Sequence, residues 1–254
     1  RMCQKTHGAA FGTYCFLNPG QIRWISDTYS IVKYTSSDVL VRSSCKVCGS
    51  VVPYLNENDN HWIAPGGCHD EMRKPDCNIF VSDNSPWHTI SGNLPQYTAY
   101  PEETGLPSVE GIPIQKLKGN SLSGSCLCGS ITFKVTEPFI TAHNCHCSRC
   151  RYGRAAAHAT NGFVNFDGIQ FTGGKHLVGS YKVSNARYFT QVFCTICSSI
   201  MPRKDKERGI AVIPLASLDD DPKIKPVDHI HVGSKAQWHD ITDDLPQFLE
   251  GPIQ

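Results

Sequence analysis

The sequence predicts a mostly β protein made of two tandem copies of one unit, the first lacking its opening strands. Three observations predict it. The chain resembles itself at a nearly constant offset, its apolar runs are short and alternate with polar residues, and its cysteines fall in tight groups. Cys3 to Thr13 lies on Cys150 to Thr160 at an offset of 147, sharing the cysteine, an Ala pair and a Thr. Cys45-Lys46-Val47-Cys48 lies on Cys194-Thr195-Ile196-Cys197 at 149, and Ile79 to Pro95 lies on Ile230 to Pro246 at 151, placing Trp87 on Trp238 and Ile90 on Ile241. Offsets that grow by two behave as short loop insertions.

The first copy spans 1–103 and the second 118–254. Residues 104–117 between them are rich in Pro, Gly and Glu without periodicity, a composition suited to an extended linker. The copies are unequal. The second carries Ser123 to Val135 ahead of its cysteine cluster, and the first carries nothing ahead of Arg1. Arg1-Met2-Cys3 therefore reads as the tail of a C-x-C-x-x-C, and the chain as a fragment of a longer two-unit protein.

Within the second copy, Ser130 to Thr136 sets Ile131, Phe133 and Val135 against Thr132 and Lys134, the period of a half-buried strand. Further strands are expected over Ala155 to Thr160, Ile169 to Thr172, Leu177 to Val183, Tyr188 to Phe193, Ile210 to Ile213 and His229 to Val232. Asn161-Gly162, Asp167-Gly168 and Gly173-Gly174 are the expected turns. No stretch has the apolar spacing of a long helix.

A net charge of +1 with 19% charged residues gives no electrostatic pull toward nucleic acid or a membrane surface. The apolar runs are too short to span a bilayer. Thirteen cysteines is a high and odd count. The pairs Cys126/Cys128, Cys194/Cys197 and Cys45/Cys48 and the triplet Cys145/Cys147/Cys150 suit chelation, because a C-x-C in extended chain does not readily close a disulfide on itself. Reduced, metal-ready thiols place the protein in a reducing compartment, the cytoplasm.

The second copy holds seven clustered cysteines, which divide as four plus three. Cys126, Cys128, Cys194 and Cys197 resemble the two knuckles of a zinc ribbon and would close a structural Cys₄ site. Cys145, Cys147 and Cys150 are one ligand short of a tetrahedron, and an open position is the mark of catalytic zinc. His143 and His158 are the rivals for that fourth place; His146, between two ligands on extended chain, points away from them. Cys15, Cys68 and Cys77 have no counterparts in the second copy and read as ordinary buried thiols.

Gly124-Ser-Cys-Leu-Cys-Gly129, Cys145-His-Cys-Ser-Arg-Cys150, Phe193-Cys-Thr-Ile-Cys197 and the closing His229-Ile-His-Val-Gly-Ser-Lys-Ala-Gln-Trp238 resemble the glutathione-dependent formaldehyde-activating enzyme family, which also includes centromere protein V. The resemblance implies a β-tent fold in each unit. It implies two Zn²⁺ ions per complete unit, a structural one on Cys126, Cys128, Cys194 and Cys197 and a catalytic one on Cys145, Cys147 and Cys150. The implied activity is that of a carbon–sulfur lyase acting on adducts of glutathione, or a similar thiol, with formaldehyde or another small electrophile. A zinc with an open position suits capture of the thiol as thiolate. One departure is Ser198, where the family has Gly after the second C-x-x-C; the turn there must avoid or tolerate a positive φ. The first copy keeps Cys45 and Cys48 without their partners and cannot build either site from matching positions. Two other functions compete: a non-catalytic protein-binding module stabilised by zinc, and a thiol redox protein using Cys194 and Cys197.

Overall fold

The computed structural model describes residues 1–56, 60–106 and 122–251. The linker expected over 104–117 falls, from 107 onward, outside the described residues. The described chain is mostly β. In order it runs α1 (Met2–His7), β1 (Tyr14–Leu17), β2 (Ile31–Ser37), β3 (Leu40–Cys45), β4 (Tyr54–Asn56), β5 (His61–Pro65), β6 (Leu122–Ser125), β7 (Thr132–Val135) and β8 (Thr141–Cys145). It continues through α2 (Ser148–Arg154), β9 (Ala159–Asn165), β10 (Ile169–Gly173), β11 (Val178–Lys182), β12 (Thr190–Cys194), β13 (Arg203–Asp205), β14 (Ile210–Pro214) and β15 (His229–Ile230). No helix among the described residues is long and apolar enough to cross a membrane.

The strands form small sheets. The largest has the order β13-β14-β9-β8-β15, in which only β15 with β8 is parallel. Beside it lie β10-β7-β6, β11-β12, β2-β3 and β1-β5-β4. Strand β7 is held by its alternation: Ile131, Phe133 and Val135 are buried, while Thr132 and Lys134 are partly exposed. Those apolar side chains join Ile213, Leu215, Leu218 and Met201 in the main core.

Several elements recur at the spacings of the sequence matches. Helices α1 and α2 both end in a left-handed residue, Gly8 at φ 59° and Ala155 at φ 51°. Ile31 pairs with Cys45 as Val178 pairs with Cys194, and Tyr14 pairs with Pro65 as Asn161 pairs with Pro214. Asn78 bridges Gln96 in parallel as His229 bridges Gln247. Contacts between the halves are reciprocal as well. Helix α1 packs on the short turn Leu215–Ser217, and α2 packs on the turn Gly66–Cys68. Trp87 from the first half inserts into the main core, while Trp238 packs with Ala157, Phe11 and Met72. These contacts run in both directions between residues 1–106 and 122–251. A buried ion pair, Lys5 Nζ to Asp219 at 2.8 Å, and Ser44 Oγ to Ser198 Oγ at 2.5 Å also cross between the halves.

The structure departs from the expected strands near the site. The strand expected from Ala155 starts at Ala159, because 148–154 is helix and Ala155 caps it. Asn161-Gly162 is not a turn but lies inside β9. A Cβ at Gly162 would sit 2.5 Å from the Phe139 ring, so the glycine serves close packing rather than chain reversal. Strand β15 ends at Ile230, and His231 then turns at φ 58°.

Candidate metal centres

Two loops build the four-thiol group. Strand β6 leads into Cys126-Leu127-Cys128, and β12 ends on Cys194 with Cys197 in the following turn. The Leu127 N–H donates to Ser199 Oγ at 2.9 Å and ties one loop to the other. Ser198 has φ 57° and matches Gly49 at φ 74°, so the turn tolerates a positive φ in a residue with a Cβ. The Cys126 and Cys128 sulfurs lie 3.4 Å apart and those of Cys128 and Cys194 3.8 Å, with all four within 4.8 Å of one another. Tetrahedral zinc with bonds of about 2.3 Å requires sulfurs about 3.8 Å apart, so the four thiols fit that ion. By themselves they cannot all ionise. Hydrogen bonding among the thiols holds Cys128 low and pushes Cys126 and Cys194 up, while Cys197 is lowered to about 6, first by Cys126.

The three-thiol group sits where β8 passes into α2. Cys145 closes β8, fixed between Ala159 of β9 and Ile230 of β15. Cys147 is the N-cap of α2, accepting the Cys150 N–H at 3.3 Å, and Cys150 stands in the first turn. This strand-to-helix corner brings the three sulfurs within 4.8 Å of one another, and among the described residues no His, Asp or Glu completes the group. Hydrogen bonds from Cys145 and Cys150 pull the Cys147 thiol down to about 2, whereas Cys145 rises to about 12 and Cys150 well above its usual value. One thiolate is thus stable among the three. Ionising all three needs a cation at their centre, the donor set of a soft or borderline divalent metal.

The rival fourth ligands are engaged elsewhere. His143 Nδ1 bonds the Asp228 carboxylate at 2.5 Å. His158 groups with His146 and His239, which also shows where His146 points when it turns from the cysteines. Cys3, Cys15, Cys45, Cys48, Cys68 and Cys77 join no metal-sized group among the described residues. Sequence reasoning missed His239, His229, Asp228 and Asp243 as site residues. Nothing in their spacing relates them to His146 or His158.

No curated protein matches this chain. A similar solved structure is that of a Rhodobacter sphaeroides protein, 20% identical, covering 41% of this chain and 97% of that one with a TM-score of 0.33, a likeness too slight to carry an argument. Residues 121–234 match the family model of the glutathione-dependent formaldehyde-activating enzyme. That stretch contains both cysteine groups, so the similarity to the glutathione-dependent formaldehyde-activating enzyme family falls on the residues that carry them.

Proposed function

We propose that the protein is a zinc-dependent enzyme of the carbon–sulfur lyase type, which forms or cleaves adducts of glutathione, or a similar thiol, with formaldehyde or another small electrophile. The observation that carries this reading is the three-thiol group at Cys145, Cys147 and Cys150, with no fourth protein ligand among the described residues, beside a complete group of four. The family of residues 121–234 supports the thiol and aldehyde chemistry. Cys126, Cys128, Cys194 and Cys197 would hold a structural zinc, and Cys145, Cys147 and Cys150 a catalytic one. The catalytic ion would supply an open position at which a substrate thiol is kept as thiolate at neutral pH.

The chain's own residues set that position up. The Cys150 N–H stabilises charge on Cys147 Sγ. Pairing with β9 and β15 fixes Cys145, so the three sulfurs keep their spacing without help from substrate. His143, bound to Asp228, and His146, bound to His229, stay out of the sulfur group and leave its fourth side to a ligand.

We further propose two tandem β-tent units, 1–103 and 118–254, with the first acting as a scaffold. The reciprocal contacts between α1, α2 and the two turns support this reading. All thirteen cysteines are free, which supports residence in the cytoplasm. The deciding experiment follows hydroxymethyl-adduct formation from glutathione and formaldehyde by NMR, with zinc content measured in parallel. Cys147→Ser should abolish the reaction and lose one zinc, while Cys126, Cys128, Cys194 and Cys197 keep theirs. Full activity in that variant sinks the assignment. Loss of zinc with no adduct formed by the wild-type protein instead assigns the metal a structural role.

A further inference from the structure

The histidines beside the three-thiol group form a cluster that the proposed reaction does not use. His146, which precedes α2, His158, which precedes β9, and His239 in the C-terminal tail each offer a ring nitrogen within 4.8 Å of the others. Ring centroids are 5.1 Å apart for His146 and His158, 5.6 Å for His158 and His239, and 5.7 Å for His146 and His239. His146 is fully buried and His158 is 4% exposed. Yet His146 Nδ1 and both ring nitrogens of His158 have no hydrogen-bond partner among the described residues.

Orphaned polar atoms at such burial cost about 1–3 kcal/mol each, so three in one cluster need an explanation. A proton is a poor one. Burial holds His158 well below its usual pKa and His239 down to about 4, so both rings stay neutral, with free lone pairs. Neutral imidazole is a common metal ligand.

The surroundings resemble those of a built site. His146 Nε2 bonds His229 Nδ1 at 2.8 Å, and His229 Nε2 bonds the Asp243 carboxylate at 3.0 Å. This chain leaves Nδ1 of His146 as the free nitrogen and places a carboxylate behind it, the outer-shell arrangement that orients a ligating histidine. Phe11 meets His158 edge-on at 5.4 Å and walls the cluster with an apolar ring. His239 is only partly buried and gives an ion a way in. The Lys235 ammonium is bonded to the His239 carbonyl at 2.7 Å; it opposes a cation, and Asp243 offsets it. Tetrahedral zinc with nitrogen bonds of about 2.0–2.1 Å sets ligand nitrogens about 3.3 Å apart, and small ring rotations close the remaining gap.

We propose that His146, His158 and His239 form a third metal site, for a divalent first-row transition ion such as Zn²⁺, which pins the C-terminal tail to the β8–α2 corner. The site is all nitrogen, chemically distinct from the thiolate centres, and does not depend on what they catalyse.

The test loads the full chain with Co²⁺, removes loosely bound ion by gel filtration, and reads metal per chain together with the visible spectrum. Three groups of ligands predict three ions. His158→Gln and His239→Gln should each lose one ion and leave the sulfur-to-cobalt charge-transfer bands unchanged. Asp243→Asn, at a partly exposed carboxylate, should keep the fold and weaken the third ion about tenfold to a hundredfold against a competing chelator. An ion count that neither glutamine variant lowers overturns the proposal. Absence of the charge-transfer bands with the histidine-dependent ion still present would instead strike the thiolate centres and leave this site standing.

Discussion

A methyl group placed at Gly67 tests whether the first hundred residues support the half that carries both cysteine groups. Gly67 lies in the turn Gly66–Cys68, against the C-terminal end of α2. An added Cβ would stand 2.0 Å from the Ala156 nitrogen, 2.3 Å from the Ala155 carbonyl carbon and 2.6 Å from the Ala156 oxygen. These are backbone atoms in fully buried residues, so no side chain can swing aside. Ordinary contact begins near 3.4 Å, and the two segments must part by more than an ångström. The same turn is held to α2 by Arg151, which donates to His69 O at 3.1 Å and to Asp70 at 2.6 Å, so separation strains those bonds too. Overpacking costs about 1–3 kcal/mol, and with backbone on both walls the upper end applies. For a chain of this size about 3 kcal/mol lowers Tm by roughly 6–12 °C. Circular-dichroism melting measures it, with Gly251→Ala, whose added Cβ meets nothing within 4 Å among the described residues, as the neutral control. A loss below about 1 kcal/mol in Gly67→Ala would refute the view that the halves are packed as one body.

The remaining predictions are shorter. Lys5→Met should destabilise by about 3–5 kcal/mol in chemical denaturation by stranding buried Asp219, and adding Asp219→Asn should restore much of the loss. Ser198→Gly relieves about 1 kcal/mol of left-handed strain but leaves the buried Ser44 hydroxyl without its partner at about 1–3 kcal/mol, so melting should show a net loss or no gain. His7, fully buried, donates from Nδ1 to Arg154 O and accepts from Tyr14 at 2.6 Å, and burial lowers its pKa to about 4. The unfolded chain then binds a proton that the folded one refuses between pH 6.5 and 4. Stability should therefore fall across that window on acidification, by about 3 kcal/mol from this group, and His7→Gln should flatten the slope. A strong zinc chelator should unfold the cysteine-bearing half, since structural zinc contributes on the order of 10 kcal/mol in small domains. Retention of the native near-ultraviolet spectrum after complete zinc removal would count against the four-thiol assignment.

How much of this was legible depended on sequence distance. Ile131, Phe133 and Val135 announce β7 because a strand's alternation is local, and the three cysteine motifs announce their groups because the ligands of each loop are two or three residues apart. The helix Ser148–Arg154 was not visible: seven residues with Cys, Gly and three arginines have no apolar face, and the helix forms because Cys147 caps it and Gly66–Cys68 packs on it. Gly162 looked like a turn because Asn-Gly is a strong hairpin signal, and the need for space beside Phe139 comes from a residue far outside that dipeptide. The histidine cluster was the least legible part. Its members come from three separate segments and meet only after β8, β9 and the tail are assembled.

The first half also bears on what the second requires. Cys3, which matches Cys150, is partly buried beside Arg42, whose guanidinium lies 3.5 Å from the sulfur, 3.4 Å from the Tyr14 hydroxyl and 3.1 Å from Ser36 Oγ. Burial pushes the Cys3 thiol up, but the guanidinium outweighs it and holds the thiol below its usual value. Gln191 occupies the position matching Arg42; it is neutral and donates instead to the carbonyls of Cys48 and Gly153. The guanidinium beside Cys3 thus has no counterpart at the matching position of the second half, where the sulfurs of Cys145, Cys147 and Cys150 converge. A guanidinium presents donors along fixed directions and can satisfy a single sulfur. Three converging sulfurs call for a compact divalent charge, and that geometry is the reason to propose metal chemistry at Cys145, Cys147 and Cys150.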